Sequence, residues 1–256
     1  MDDKYLLGSV SNALKIMDLL NKENELSLTE ICRELDIGKA SAFRLLYTLE
    51  YCGYVHKTNQ ARYKLGMKFA HYGANLLGRQ SVVETAKPFL QVLRDEFNET
   101  THIAILDKTY RDIIVMDKEM GNSSIQMSSQ IGEQLPSYCT GNGKVLLAYL
   151  SSEELEKALS SIEFIKYTET TITSKESLRS TLSKIRENGY GEDIEESEIG
   201  LVCYSGPIRD FKGKVVAAIS ISGPSVRMRQ NRQALVTSVK KTAADISRAM
   251  GYLEKP

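Results

Sequence analysis

Residues 27–65 constrain the fold more than any other stretch, because a helix start, a tight break, a second helix and a hairpin signal follow one another there without spare residues. Ser27-Leu28-Thr29-Glu30 is a capping box, in which the serine hydroxyl caps a helix and Glu30 reaches back to the serine amide. A short helix is expected to about Leu35. Asp36-Ile37-Gly38 breaks it, the glycine permitting the backbone that a turn needs. A further helix is predicted over Lys39–Tyr51, ended by Gly53. Two strands, Tyr54–Lys57 and Arg62–Leu65, follow around the polar turn Thr58-Asn59-Gln60-Ala61. Upstream, Ala13, Leu14, Met17 and Leu20 recur at helical spacing, which predicts a helix over Ser11–Asn21 with Val10 leading in. Three helices and a two-strand hairpin describe a winged helix-turn-helix occupying residues 1–65.

Charge supports that reading only when it is resolved along the chain. The totals cancel, 33 Lys and Arg against 33 Asp and Glu. Yet Lys39–Arg79 carries seven cations and one acid, Glu50, whereas residues 1–38 and 80–256 are each net acidic. On a helical wheel Ala42, Leu45, Leu46 and Leu49 form an apolar stripe that must face a core. Ala40, Phe43, Arg44 and Tyr47 lie opposite, with Lys39 and Ser41 in the first turn. Arg can bond guanine bidentately, Phe and Ala can meet thymine methyls, and Lys, Ser and Tyr can hold phosphates. The hairpin adds Lys57 and Arg62 for phosphate or minor-groove contact. These eight residues are the candidate contacts to double-stranded DNA. The competing reading is a solvated face with Phe43 turned into the core.

Beyond the hairpin, a linker helix is expected over residues 66–80, with Met67, Ala70, Ala74 and Leu77 available to bury, and another over Val82–Phe97. Strand-like runs (His102–Leu106, Ile113–Asp117, Leu201–Tyr204, Lys214–Ser222) and helix-like runs (Lys144–Leu150, Ser152–Leu159, Lys175–Glu187, Arg229–Tyr252) come in groups. The fold class is therefore α+β, with a second domain over 81–256. Hydrophobic residues at 42% and charged residues at 26% are ordinary for a globular chain, and no apolar run reaches the ~18–20 residues of a membrane span. The first residues, MDDKYLLGSV, lack a signal-peptide core, and Cys32, Cys52, Cys139 and Cys203 form no CxxC, so a cytoplasmic protein without a zinc site or disulfides is expected.

Enzyme signatures are thin. Of His56, His71 and His102, only the last falls in the larger domain, and no HExxH, GxSxG or complete P-loop occurs. Ser238-Val239-Lys240-Lys241 matches SxxK only formally, and Cys203 has no nearby His motif to activate it. No catalytic residue, metal ligand or cofactor is assigned. Binding signals are stronger. Thr140-Gly141-Asn142-Gly143-Lys144 precedes an apolar helix, where glycines and the helix dipole favour an anion such as a carboxylate; an ordinary turn is the alternative. Along Lys214–Ser222, Val215, Ala217, Ile219 and Ile221 alternate with Val216, Ala218, Ser220 and Ser222, putting two hydroxyls on an apolar face, as in a pocket or as serines satisfied within a core. Gly191–Glu198 holds five acids, read as a solvated strand end or loop with one or two facing a pocket.

Taken together, LSLTEICRELDIGKASAFRLLYTLEYCGYV, ARYKLGMKFAHYG, LPSYCTGNGKVLLAYL, the segment from TETTITSKES to AISISGP, and ISRAMGYL resemble the IclR family of transcriptional regulators over nearly the whole chain. The resemblance implies a winged helix-turn-helix, a linker helix and a GAF-like effector domain, assembled as a dimer or dimer of dimers on operator DNA. It implies a small carboxylate effector held by backbone amides of Gly141 and Asn142, by Asp193, by Cys203 of the Gly-x-x-Cys motif, and by Ser220 and Ser222. Asp193 and Cys203 rest on the resemblance alone. Gly38 stands where the family has proline, and Tyr204-Ser205-Gly206-Pro207 where it has Ala-Ala-Pro, which would bring a phenol and a hydroxyl toward the pocket. Hydroxyls at Ser205, Ser220 and Ser222 lean toward a keto or sugar acid, as in regulators of hexuronate and 2-keto-3-deoxygluconate use. A repressor is expected, with an activator or a small-acid enzyme as the alternatives.

Overall fold

The structure, a computed structural model, describes residues 5–77, 81–125, 127 and 129–253. The chain divides into two compact units at residues 79/80. In the first, α1 (Gly8–Glu23) is followed by β1 (Leu26–Ser27), α2 (Leu28–Leu35), α3 (Lys39–Tyr51), β2 (Val55–Lys57), β3 (Arg62–Leu65) and α4 (Lys68–Leu77). The capping box forms in full: the Glu30 amide donates to Ser27 Oγ at 3.3 Å, and the Ser27 amide donates to Glu30 Oε2 at 2.7 Å. Ser27 also belongs to β1, which pairs with β3 to complete a sheet of order β1-β3-β2. Two residues are too few to show a periodicity, so this third strand has no signature in the sequence.

The break before α3 works differently from expectation. Asp36 takes the left-handed conformation (φ 51°), whereas Gly38 is extended (φ −62°, ψ 142°). Aspartate tolerates that region better than most side chains, and Gly38 occupies a geometry that proline also adopts. The core of this unit gathers Ile16, Leu20, Ile31, Leu46, Leu49, Val55 and Tyr63. In α1, Ile16, outside the predicted stripe, takes a core position, whereas Leu14, a member of it, is 53% exposed. Gly66 precedes α4 rather than belonging to it, and Met67 and Ala70 are exposed instead of buried. The side chains of Ala74 and Leu77, and residues 78–80 of the expected linker helix, lie outside the described residues.

The second unit contains α5 (Val82–Phe97), β4 (Thr100–Leu106), β5 (Asp112–Glu119), β6 (Gln134–Pro136), α6 (Gly141–Ala148), α7 (Ser152–Ser161), α8 (Lys175–Asn188), β7 (Gly191–Ile194), β8 (Leu201–Arg209), β9 (Val215–Pro224), α9 (Ser225–Gln230) and α10 (Arg232–Ala249). Six strands form one antiparallel sheet of order β6-β5-β4-β9-β8-β7. One face packs Ile103, Val202, Ile219 and Ile221 against α5 and α10. The other packs Ala104, Ile113 and Ala218 against α6, α7 and α8. The mixed helix and strand content is the predicted α+β class. The last helix-like run is two helices, divided at Asn231, and the acidic stretch is an edge strand, not a loop, as far as Ile194.

Alternation in β9 holds from Ala217 onward and fails before it. Ile208 pairs with Ala217 and Arg209 with Val215, so Val216 is an extra residue in the ladder. One inserted residue swaps the faces of everything before it. Val215 therefore packs on the α6 side, opposite to its predicted face.

Candidate operator-reading face and ligand cavity

On α3 the buried side chains are Ala42, Leu46 and Leu49. Lys39, Ala40, Ser41, Phe43, Arg44 and Tyr47 are all exposed, and Phe43 is 49% exposed, which excludes a core role for its ring. The rings of Phe43 and Tyr47 lie 6.5 Å apart, one turn of helix forming a single aromatic edge beside Arg44. Lys57 on the wing is exposed, its ammonium 5.7 Å from the Tyr63 ring centroid. None of the ion pairs among the described residues engages Lys39, Arg44 or Lys57. Arg62 differs from the expectation. Its guanidinium lies 3.1 Å from Glu30 and 3.4 Å from Glu25, and donates to the Glu25 carbonyl at 3.0 Å. Those contacts tie the wing to the start of α2 and leave it poorly placed for phosphate.

In the second unit a cavity of about 300 Å³ opens on the α6 side of the sheet. Gly141, Asn142, Asp193, Cys203, Ser220 and Ser222, singled out from the sequence, all line it. Register explains the convergence: Ser222 sits opposite Cys203, Cys203 opposite Asp193, and Ser220 opposite His102 across the antiparallel ladders. The α6 N-terminus closes one end. Thr140 caps it, accepting from the Gly143 amide at 3.3 Å and donating to the Pro136 carbonyl at 2.8 Å. The amides of Gly141 and Asn142 remain in the first turn with the positive end of the helix dipole. A side chain at Gly141 would force its neighbours to shift, because a Cβ would lie 2.5 Å from Ser205 Oγ and 3.0 Å from Cys203 Sγ.

Asn142 donates to Ser220 Oγ at 2.9 Å, while its own buried Oδ1 has no partner among the described residues. Asp193, 1% exposed, accepts from the Glu196 amide at 2.7 Å and from Ser197 Oγ at 2.5 Å, so it holds the β7–β8 turn as well as facing the cavity. Burial raises its pKa despite those bonds. Beside it, buried Lys144 bonds Glu196, whose carboxyl burial pushes up to about 7 against the pull of that lysine.

Sequence reasoning missed His102, Met127, Ser129, Tyr167 and Glu198 on the cavity wall. His102 was legible as the lone histidine of this domain, on a strand. It is buried, bonds Ser129 Oγ at 2.6 Å and lies 3.4 Å from Ser222 Oγ. Desolvation, with Lys118 nearby, lowers its pKa to about 4, so it is neutral at pH 7. The variant motif in β8 does not act as expected. Tyr204 points to the opposite face, among Val202 and Ile219, and Ser205 Oγ packs under Gly141 against Cys203 Sγ at 3.4 Å; neither lines the cavity. Strand alternation puts Tyr204 there.

Among the described residues the cavity wall thus carries hydroxyls, one neutral imidazole, two carboxylates and a helix N-terminus, and no lysine or arginine. Burial pushes the Cys139 and Cys203 thiols up to about 12 and about 11, which leaves no thiolate at pH 7. Ser238 of the SxxK match donates to Glu96 on the surface.

A helix-turn-helix with an exposed basic and aromatic reading face, joined in one chain to an α/β domain with a polar cavity, defines a class of DNA-binding regulator. The chain belongs to the IclR family: the IclR helix-turn-helix domain matches residues 9–58, and the bacterial transcriptional regulator IclR C-terminal domain matches residues 74–248. It is 36% identical over 253 residues to the HTH-type transcriptional regulator KdgR of Escherichia coli, covering 97% of this chain and 95% of that one. It is 30% identical over 246 residues to the transcriptional repressor IclR of E. coli, covering 95% and 90%. The crystal structure of the Agobacterium tumefaciens repressor BlcR, 23% identical, shares the fold with a TM-score of 0.86 over 99% of this chain and 100% of that one. This is accordingly a transcriptional regulator of the IclR family, and no helix among the described residues is long and apolar enough to cross a membrane.

Proposed function

We propose that this protein is a repressor that binds operator DNA through Lys39, Ala40, Ser41, Phe43, Arg44 and Tyr47, with Lys57 on the wing, and responds to a small hydroxylated carboxylate in the α6 cavity. The observation that carries the reading is that cavity: the two α6 amides, of Gly141 and Asn142, that the Thr140 cap leaves over at one end, and neutral hydrogen-bonding groups with carboxylates along the wall. A ligand carboxylate is favoured at the Gly141 and Asn142 amides, and its hydroxyls at Asp193, Ser220, Ser222 and His102. With Asp193 and Glu198 on the wall, a dicarboxylate would meet repulsion, whereas a keto or sugar acid keeps its polyol against them. The 30% identity with the transcriptional repressor IclR supports the sign of regulation. Self-association as a dimer or dimer of dimers is supported by the apolar side chains that α1 and its approach leave exposed, among them Leu7, Val10 and Leu14.

Gel shift on DNA upstream of its own gene, with and without keto and sugar acids, tests the reading. A specific, salt-sensitive complex that one acid dissolves supports it. A complex that no acid alters, or none at all with an intact dimer, refutes it. Ser220→Ala and Asn142→Ala should abolish the acid's effect while leaving DNA binding intact.

A further inference from the structure

A second cavity, of about 260 Å³, lies between the end of β8, α10 and the C-terminal ends of α6 and α8, and shares no lining residue with the first. Three cations line it: Arg209, Lys240 and Arg248. Only Arg248 has a carboxylate partner, Asp245; none of the ion pairs among the described residues includes Arg209 or Lys240. Each of these two has a structural bond that uses a fraction of its donors. Arg209 Nη1 donates to the Gly213 carbonyl at 2.9 Å, and Lys240 Nζ donates to the Asn188 carbonyl at 2.8 Å, answering the C-terminus of α8. A guanidinium has five N–H donors and an ammonium three, so most of their capacity is uncommitted.

The aromatic surroundings hold Arg209 without consuming those donors. Its guanidinium carbon is 4.7 Å from the Tyr149 ring centroid and 5.8 Å from that of Tyr252. A cation held by ring faces keeps its in-plane N–H groups for an oxyanion. The C-terminal ends of α6, α8 and α10 each add about half a negative charge. Together with Asp245 they leave the three cations in excess.

We propose that this cavity binds the phosphate group of a small phosphorylated metabolite, as a ligand site separate from the α6 cavity. A phosphate monoester carries about −1.5 to −2 charges and three acceptor oxygens at pH 7. It can engage the Arg209 fork and the Lys240 ammonium together, whereas a carboxylate satisfies the fork alone.

Isothermal titration of the full chain with glucose 6-phosphate tests this, with glucose, gluconate and inorganic sulfate as controls at matched ionic strength. The expected result is saturable binding of the phosphate ester that weakens by about tenfold or more in Lys240→Gln and in Arg209→Gln, the loss expected for a charged hydrogen bond. The same binding should be unchanged in Asn142→Ala, whose site is the other cavity. If Arg209→Gln fails to fold because it frees the Gly213 carbonyl, Lys240→Gln and Arg248→Gln carry the comparison. Absence of saturable binding, equal binding by the variants, or equal competition by sulfate or gluconate would overturn the proposal.

Discussion

Arg44 and His102 carry the sharpest expectations for single residues. Arg44 is exposed on the reading face and has no carboxylate partner among the described ion pairs. Replacing it with alanine should cost ~1–3 kcal/mol of specific operator binding and relax base choice, measurable by anisotropy against a panel of singly substituted operators. An equal loss on every sequence would mean that Arg44 holds phosphate instead. His102 predicts a pH effect. Its pKa is about 4 in the folded chain against 6.5 in the open one. Between those values the unfolded chain binds the proton and the native chain does not, so its contribution to stability is lost as pH falls from 6.5 to 4. The loss amounts to about 3 kcal/mol over the window at ~1.4 kcal/mol per pKa unit. Glu196, raised to about 7, acts with the opposite sign over an overlapping range, since protonation favours its folded form. The wild-type curve is therefore flattened, and on acidification from pH 6.5 to 4 wild type should lose stability relative to His102→Gln, by up to about 3 kcal/mol in chemical denaturation at several pH values.

Among the elements, α6 and α3 show how helix starts decide stability here. A Cβ at Gly143 would lie 2.2 Å from the Ser137 carbonyl oxygen and 2.4 Å from its Cα, whereas one at Gly141 would meet side chains. Side chains can rotate and backbone cannot, so Gly143→Ala should destabilise more than Gly141→Ala, the latter costing ~1–3 kcal/mol. Thermal melts of the two variants compare them directly. At α3, Gly38 caps without a side chain, and a Cβ there meets nothing within 4 Å. Gly38→Ser should supply the missing hydroxyl and stiffen the unfolded chain, raising stability by about 0.5–1 kcal/mol. The same elements show what sequence reasoning can reach. The capping box, α3 with its two faces, and the β9 serines were legible because each rests on local periodicity or a short motif. Strand β1 was not, being two residues long. The faces of Val215 and Leu14 were misjudged because a bulge and the direction of the core are set by neighbours distant in sequence. In the cavity, His102 and Ser129 meet through strand pairing and a long loop, which no spacing rule encodes.

For the whole molecule, the proposed repressor and ligand sites are bound by reciprocity. If an acid lowers operator affinity by some factor, operator DNA must lower the acid's affinity by the same factor. Titrating the acid against free protein and against the protein–operator complex should give that ratio, and equal affinities would remove the coupling. The cancelled net charge also acquires meaning at this scale. Basic residues are concentrated in 39–79 and excess acid lies elsewhere, so if the proposed reading face is right, non-specific affinity should rise when the acidic segments are neutralised, a shift that salt titration on random DNA measures.

The order of strands in the larger sheet bears on how the protein is made. Its innermost pair joins β4 to β9, with Thr100 opposite Ser222 and Ala104 opposite Ala218. A ribosome has delivered all of α1 to β3 before it reaches that sheet at all, and must travel from residue 106 to residue 215 before the sheet can close through its middle. Synthesis at ~5–20 residues per second opens an interval of several seconds in which the helix-turn-helix unit can be folded while the α6 cavity lacks the wall that β8 and β9 supply. The helix-turn-helix can thus be complete while the seam between β4 and β9 is still open, and the unpaired edge of β4 is exposed for that interval.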